Sequence, residues 1–156
     1  MSTLHVQFLD HGLHRVVFDA MPLPVFVVDQ DVTIVEYNTA AARMMRTPKR
    51  RTINRRAGDV LHCLHSTESP GGCGCSRFCS NCLVRKAVQA AWKGKKVVRQ
   101  CGAIELVSDG KSRKIEVKVS TTPFKFHTHV FVLLVLEGLI DLSSRPPSAA
   151  RARKNL

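Results

Sequence analysis

Apolar and polar positions change rhythm several times along the 156 residues, and each change marks an element. In LHRVVFDAM, Leu13, Val16, Val17 and Ala20 fall at helical spacing, and PLP from Pro22 stops the helix. VFVVD is an unbroken apolar run and VTIVEYN is β-rich, so the few polar residues between them predict a hairpin. Asn38 is placed to cap a short helix in TAAARMM, which Pro48 and a basic run end. From Ala57 to Asn81, Gly, Ser and Pro predict irregular chain and single helical turns. Beyond Asn81, Leu83, Val84, Ala87, Val88, Ala91 and Trp92 share one face of a longer helix that Gly94 stops. The remainder reads as β. KVVRQCGAIELV and RKIEVKVST flank the turn SDGKS, and Ile115, Val117 and Val119 alternate with Lys114, Glu116 and Lys118, which leaves one face wet. HVFVLLVLE is apolar throughout and predicts a central strand.

This length suits one hydrophobic core, and 44% hydrophobic with 23% charged residues is an ordinary globular composition. The first twenty residues lack the pattern of a secretory signal, and the longest apolar run is shorter than the ~20 residues of a membrane helix. The expectation is a cytoplasmic protein with no membrane partner. A net charge of +12 favours anionic partners; seven basic residues and no acid lie between Arg43 and Arg56, and four more follow Ser144. Without interleaved aromatic residues or a DNA-reading motif, this run reads as a solvated face toward an acidic partner, with nucleic acid the lesser candidate. The tail, 143–156, is rich in Pro, Ala and Arg and reads as disordered.

The element order, with DAMPLPVFVVDQDVTIVEYNTAAARMM (Asp19 to Met45), resembles the PAS sensor domain, whose pattern places Asp29, Asn38 and Ala41 as they stand here. LLVLEGLIDL (Leu133 to Leu142) is similar to that family's closing strand and exit linker, with Gly138 where an Asp is frequent. The resemblance implies an α+β fold over residues 10–142: a five-stranded antiparallel sheet with short helices and one longer helix packed on one face. Residues 1–9 are then an N-terminal extension. It further implies a sensor that is not itself an enzyme, signals in trans to a protein such as a histidine kinase or transcription regulator, and forms a homodimer through residues 4–20.

Five of the six cysteines lie between Cys63 and Cys82, and in a reducing compartment such a cluster is more often metal-binding or catalytic than a disulfide framework. The segment resembles a subset of PAS domains, many attached to bacterial histidine kinases, that carry C.H..E.PGGCG....C..C. The matching residues are Cys63, His65, Glu68, Pro70, Gly71, Gly72, Cys73, Gly74, Cys79 and Cys82, and Cys75 is additional. A two-residue gap lets Cys79 and Cys82 reach one centre, and the glycines let another arm fold back around it. The expected ligands are therefore Cys63, Cys73, Cys79 and Cys82, with Cys75 and His65 as a further ligand or redox thiol. An iron–sulfur cluster, structural zinc and a thiol/disulfide switch all suit such a set. The first is implied by PAS-type oxygen sensors with four cysteines, although their usual two C-x-x-C pairs are not the spacing here. His62 and His65 also suit roles around the sulfurs, Glu68 suits a helical cap or a pair with the basic run, and Cys101 reads as strand core.

Covalent haem needs C-x-x-C-H, and Leu83 follows Cys82. No Gly-rich phosphate loop, G-x-S-x-G or H-E-x-x-H occurs. His5, His11 and His14 read as surface histidines.

Overall fold

The structure, a computed structural model, describes residues 12–144. In chain order the elements are α1 (Gly12–Ala20), β1 (Val25–Val28), β2 (Ile34–Tyr37), α2 (Thr39–Met45), α3 (Ala57–Val60), α4 (Leu64–Thr67), α5 (Leu83–Trp92), β3 (Val97–Ser108), β4 (Lys111–Phe126) and β5 (His129–Asp141), with short 3-10 turns at Lys49–Arg51, Cys79–Asn81 and Leu142–Ser144. The strands form one antiparallel sheet in the order β2-β1-β5-β4-β3. The expected α+β architecture is thus the one observed, with β5 at the centre. The expected extension, 1–9, and residues 145–156 of the expected tail lie outside the described residues.

The alternation in β4 aims Val117, Val119 and Thr121 at the core, where they meet Ala87, Val88 and Ala91 of α5. Small alanines let the helix lie close to the sheet, and the buried Thr121 hydroxyl donates to the Ala87 carbonyl at 2.9 Å. Phe26, Val28, Leu134 and Leu136 complete this layer. Along β1 all four residues are buried although successive side chains point to opposite faces, which explains its unbroken apolar run.

The Asp109–Gly110 turn between β3 and β4 has φ of 52° and 73°, as a tight hairpin requires. β4 runs past Thr121, where the sequence pattern stops, to Phe126. Pro123 is tolerated because β3 has ended by this point, so the missing N–H faces an open edge.

One expectation is overturned. Cys101 is exposed rather than core: it pairs with Lys118 on the outer face, while the inward position is taken by Gly102 opposite Val117. The stripe Leu13, Val16 and Val17 on α1 is exposed, and α1 is held by Arg15 on Glu36 (3.1 Å) and by Asp19 on the Thr39 N–H (3.0 Å).

Asn38 caps α2 and does more. Its side-chain oxygen accepts from the N–H groups of Ala41 and Val25, both at 3.0 Å, and its amide donates to the Leu23 carbonyl at 2.9 Å. Fully buried, it joins the helix start to β1. Asn38→Ala is expected to cost roughly 2–4 kcal/mol, the cap plus the stranded backbone groups. Urea unfolding of the two proteins measures this; a loss below about 0.5 kcal/mol would contradict it.

Candidate metal centre

Three stretches of chain bring the expected cysteines to one place. Next to Cys63, His62 adopts positive φ (57°) and its carbonyl accepts from the Val107 N–H at 2.8 Å, while Cys63 bridges Leu106. This hangs Cys63 on the edge strand β3. The Cys82 N–H donates to the Cys79 carbonyl at 3.2 Å, closing the two-residue gap as a single turn ahead of α5. Cys73 arrives on the glycine-rich arm: its N–H donates to Asp59 Oδ1 at 2.8 Å, and its carbonyl accepts from Arg56 at 3.0 Å. Gly72 has φ of 76°, and any side chain there would meet the Asp59 carboxylate.

Cys63, Cys73, Cys79 and Cys82 all line one cavity of about 500 Å³, bounded by apolar side chains that include Phe78, Leu83, Ile104 and Leu106. Cys75 is exposed and does not line it. Among the described residues, no three His, Cys, Asp or Glu side chains converge closely enough to hold a single metal ion as they stand. The thiols instead occupy the walls of a wider space. A Cβ on Gly58 would lie 2.6 Å from the Cys73 sulfur and 3.5 Å from the Cys63 Cβ, so the bare α3 backbone is what lets these two cysteines sit side by side. This cradle and a set of four thiols fit a thiolate-held group.

His65 also lines the cavity. Its ring stacks on Phe78 with centroids 4.6 Å apart, and its Nδ1 is 2.9 Å from Glu68 Oε2. Glu68 therefore orients His65 rather than pairing with the basic run. Within that run, Lys49 pairs with the buried Glu36 at 2.9 Å, and Arg43, Arg46, Arg50, Arg51 and Arg55 are exposed.

Sequence reasoning missed the charged support behind the arm. Asp31, in the β1–β2 turn, accepts from Arg56 Nε and Nη2 at 2.9 and 2.7 Å and from Arg85 Nη1 at 2.9 Å. Arg85 Nη2 lies 3.9 Å from the Cys73 sulfur. Asp31 is brought there by its turn: Asp29 Oδ1 accepts from the N–H groups of Asp31 and Thr33, and Val32 takes φ of 62°. Arg56 is brought there by backbone pairing between Thr33 and Arg56.

Burial pushes the Cys63 thiol up, opposed by backbone N–H groups of His65 and Ser66, and charge on Cys82 or Cys73 would push it further. Burial also raises the Cys73 thiol, against the backbone N–H of Gly58 and the Arg85 guanidinium. Both are protonated at neutral pH without a ligand, so binding a metal there releases protons. At Asp31, burial opposes the charge, but hydrogen bonds from Arg85 and Arg56 outweigh it and hold the carboxyl below its ordinary value.

Residues 18–127 match the sequence model of the PAS fold. The chain belongs to the PAS-fold family. No curated protein sequence matches it. Solved PAS domains superpose on this one at low identity and therefore speak to the fold. The PAS domain of a two-component sensor histidine kinase gives a TM-score of 0.54 at 11% identity, covering 84% of this chain and 97% of that one. The PAS domain of nitrogen regulation protein NR(II) from Vibrio parahaemolyticus gives 0.51 at 15%, covering 81% and 98%. That of BvgS from Bordetella pertussis gives 0.51 at 11%, covering 85% and 88%. Among the described residues, no helix is long and apolar enough to cross a membrane.

Asp31→Asn in this PAS domain is expected to lower stability at pH 7 by about 1 kcal/mol, since solvent screens the half-exposed carboxylate. The folded value lies below the unfolded value of roughly 3.9, so the contribution is complete above about pH 5 and is lost as pH falls past the unfolded value and through the folded one. Chemical denaturation at stepped pH checks this, and a gap between the proteins that widens on acidification would contradict it.

Proposed function

We propose that this PAS domain is a redox- or oxygen-responsive sensor module in which Cys63, Cys73, Cys79 and Cys82 hold an iron–sulfur cluster, and that it acts on a protein partner in trans. The observation that carries this reading is the convergence of those four thiols, and neither Cys75 nor Cys101, on one cavity. Zinc would draw four sulfurs to about 2.3 Å from a single point, and among the described residues no three such groups stand that close. Bound there, a cluster supplies one-electron redox chemistry and sensitivity to oxygen.

The chain's own part is to connect the ligands to the fold. Cys63 hangs on the edge of β3, Cys79 and Cys82 form the turn that starts α5, and the Cys73 arm rests on Asp59 and Arg56. With the four thiols held together, the start of α5, the edge of β3 and the Cys73 arm are fixed relative to one another. With the thiols free, α5 keeps its packing on the sheet and the loop keeps its hydrogen bonds and ion pairs, but the common tie between them is gone. This difference is what a partner would read.

A histidine kinase or transcription regulator fits as partner, since one of the solved relatives is a domain of a sensor histidine kinase. The exposed arginines between Arg43 and Arg55 favour an acidic face on that partner. The exposed stripe of α1 favours a homodimer.

Single Cys→Ser variants test the ligand set. Changing Cys63, Cys73, Cys79 or Cys82 should each reduce iron and acid-labile sulfide to well below one cluster per chain. Changing Cys75 or Cys101 should leave both at the wild-type level. Loss on Cys75→Ser with retention on Cys73→Ser would overturn the assignment of the second ligand.

A further inference from the structure

Asp31 has more cationic partners than its charge requires. Arg56 grips one carboxylate oxygen through two nitrogens, at 2.9 and 2.7 Å, and this pair alone neutralises the group. Arg85 occupies the other oxygen at 2.9 Å, with its second terminal nitrogen 3.5 Å from the Asp31 carbonyl and 3.9 Å from the Cys73 sulfur. Its side chain is 12% exposed, in contrast to the surface arginines. Holding a guanidinium there costs desolvation, which its place beside Asp31 and the Cys73 sulfur offsets. The arm is shaped to accept it: Gly74 has φ of 89°, and a Cβ at that position would run into the Arg85 guanidinium. An arginine in the first turn of α5, its own carboxylate clamp and a glycine that clears its path all converge on one cavity-lining thiol.

We propose that Arg85 is the positioning residue of the thiolate centre: fixed by Asp31, it donates to the Cys73 sulfur and stabilises negative charge there. This rests on the four-thiol reading above and deepens it. A ligand sulfur carries charge that a thiol does not, so the contact becomes a charge-assisted hydrogen bond once Cys73 is a ligand. Donors and positive charge at a cluster sulfur favour its reduced, more negative state and so raise the reduction potential. The same contact holds Cys73 against departure. Only a forked, planar cation reaches Asp31 and the sulfur together; the single ammonium of lysine does not reproduce this.

The test uses the full chain reconstituted anaerobically with ferrous iron and sulfide, reading midpoint potential and the rate of iron loss to a ferrous chelator. Arg85→Gln should load iron and sulfide, shift the one-electron equilibrium about ten-fold toward the oxidised state, which is about 59 mV lower in potential, and lose iron about ten-fold faster. Arg85→Lys keeps the charge and guards against a folding failure of the first variant; it should shift both values in the same direction by less. Arg55→Gln removes the same charge from the exposed run and should match wild type in both. If Arg85→Gln loads and matches Arg55→Gln, the role of Arg85 is refuted while the four-thiol reading stands. Full restoration by lysine would refute the forked geometry. A wild-type protein that takes up neither iron nor sulfide would refute the four-thiol reading and, with it, this proposal.

Discussion

The seat of α5 on the sheet is the constraint on which the candidate centre depends. Ala87, Val88 and Ala91 lie against Val117 and Val119, and the Thr121 hydroxyl fixes the helix by its Ala87 carbonyl. Burial on that scale is what makes the helix a rigid reference, since the loop ahead of it has little core of its own. From this seat the start of α5 presents Cys82, its first turns present Leu83 and Arg85, and the cavity opens between them and β3. A helix that lay further from the sheet would separate Cys79 and Cys82 from Cys63, whose place is set independently by the edge of β3.

The second constraint is electrostatic. Asp31 joins the β1–β2 turn, the chain entering α3 and the side of α5 in one cluster of hydrogen bonds. None of these three segments is adjacent in sequence, and the last two touch the Cys73 arm through Arg56 and Arg85. The loop is therefore irregular in backbone yet held at defined points, a combination that suits a region whose state must be transmitted to its surroundings.

Much of this was legible in the sequence, for identifiable reasons. The alternation in β4, the unbroken run of β5 and the Asp109–Gly110 turn are local signals that packing did not override. Asn38 announced its cap by its position before the alanines. Cys101 misled because a cysteine in a strand is usually core, whereas its face is decided by register, and Gly102 takes the inward place opposite Val117. The far end of β4 was not legible because the alternation stops at Thr121, and its continuation to Phe126 is set by pairing with β5. The gathering of Cys63, Cys73, Cys79 and Cys82 was legible as a motif, but the support from Asp31, Arg56 and Arg85 was not. Arg85 lies 54 residues from Asp31, and nothing in either segment marks the pair before the fold brings them together.

The central claim is that the four thiols hold a redox-active group. Anaerobic purification followed by analysis of iron, acid-labile sulfide and zinc, with a visible spectrum before and after exposure to air, tests it most directly. The account predicts stoichiometric iron with sulfide and a broad visible absorbance that bleaches in air. One equivalent of zinc with no colour would contradict it and make the cysteine loop a structural clasp.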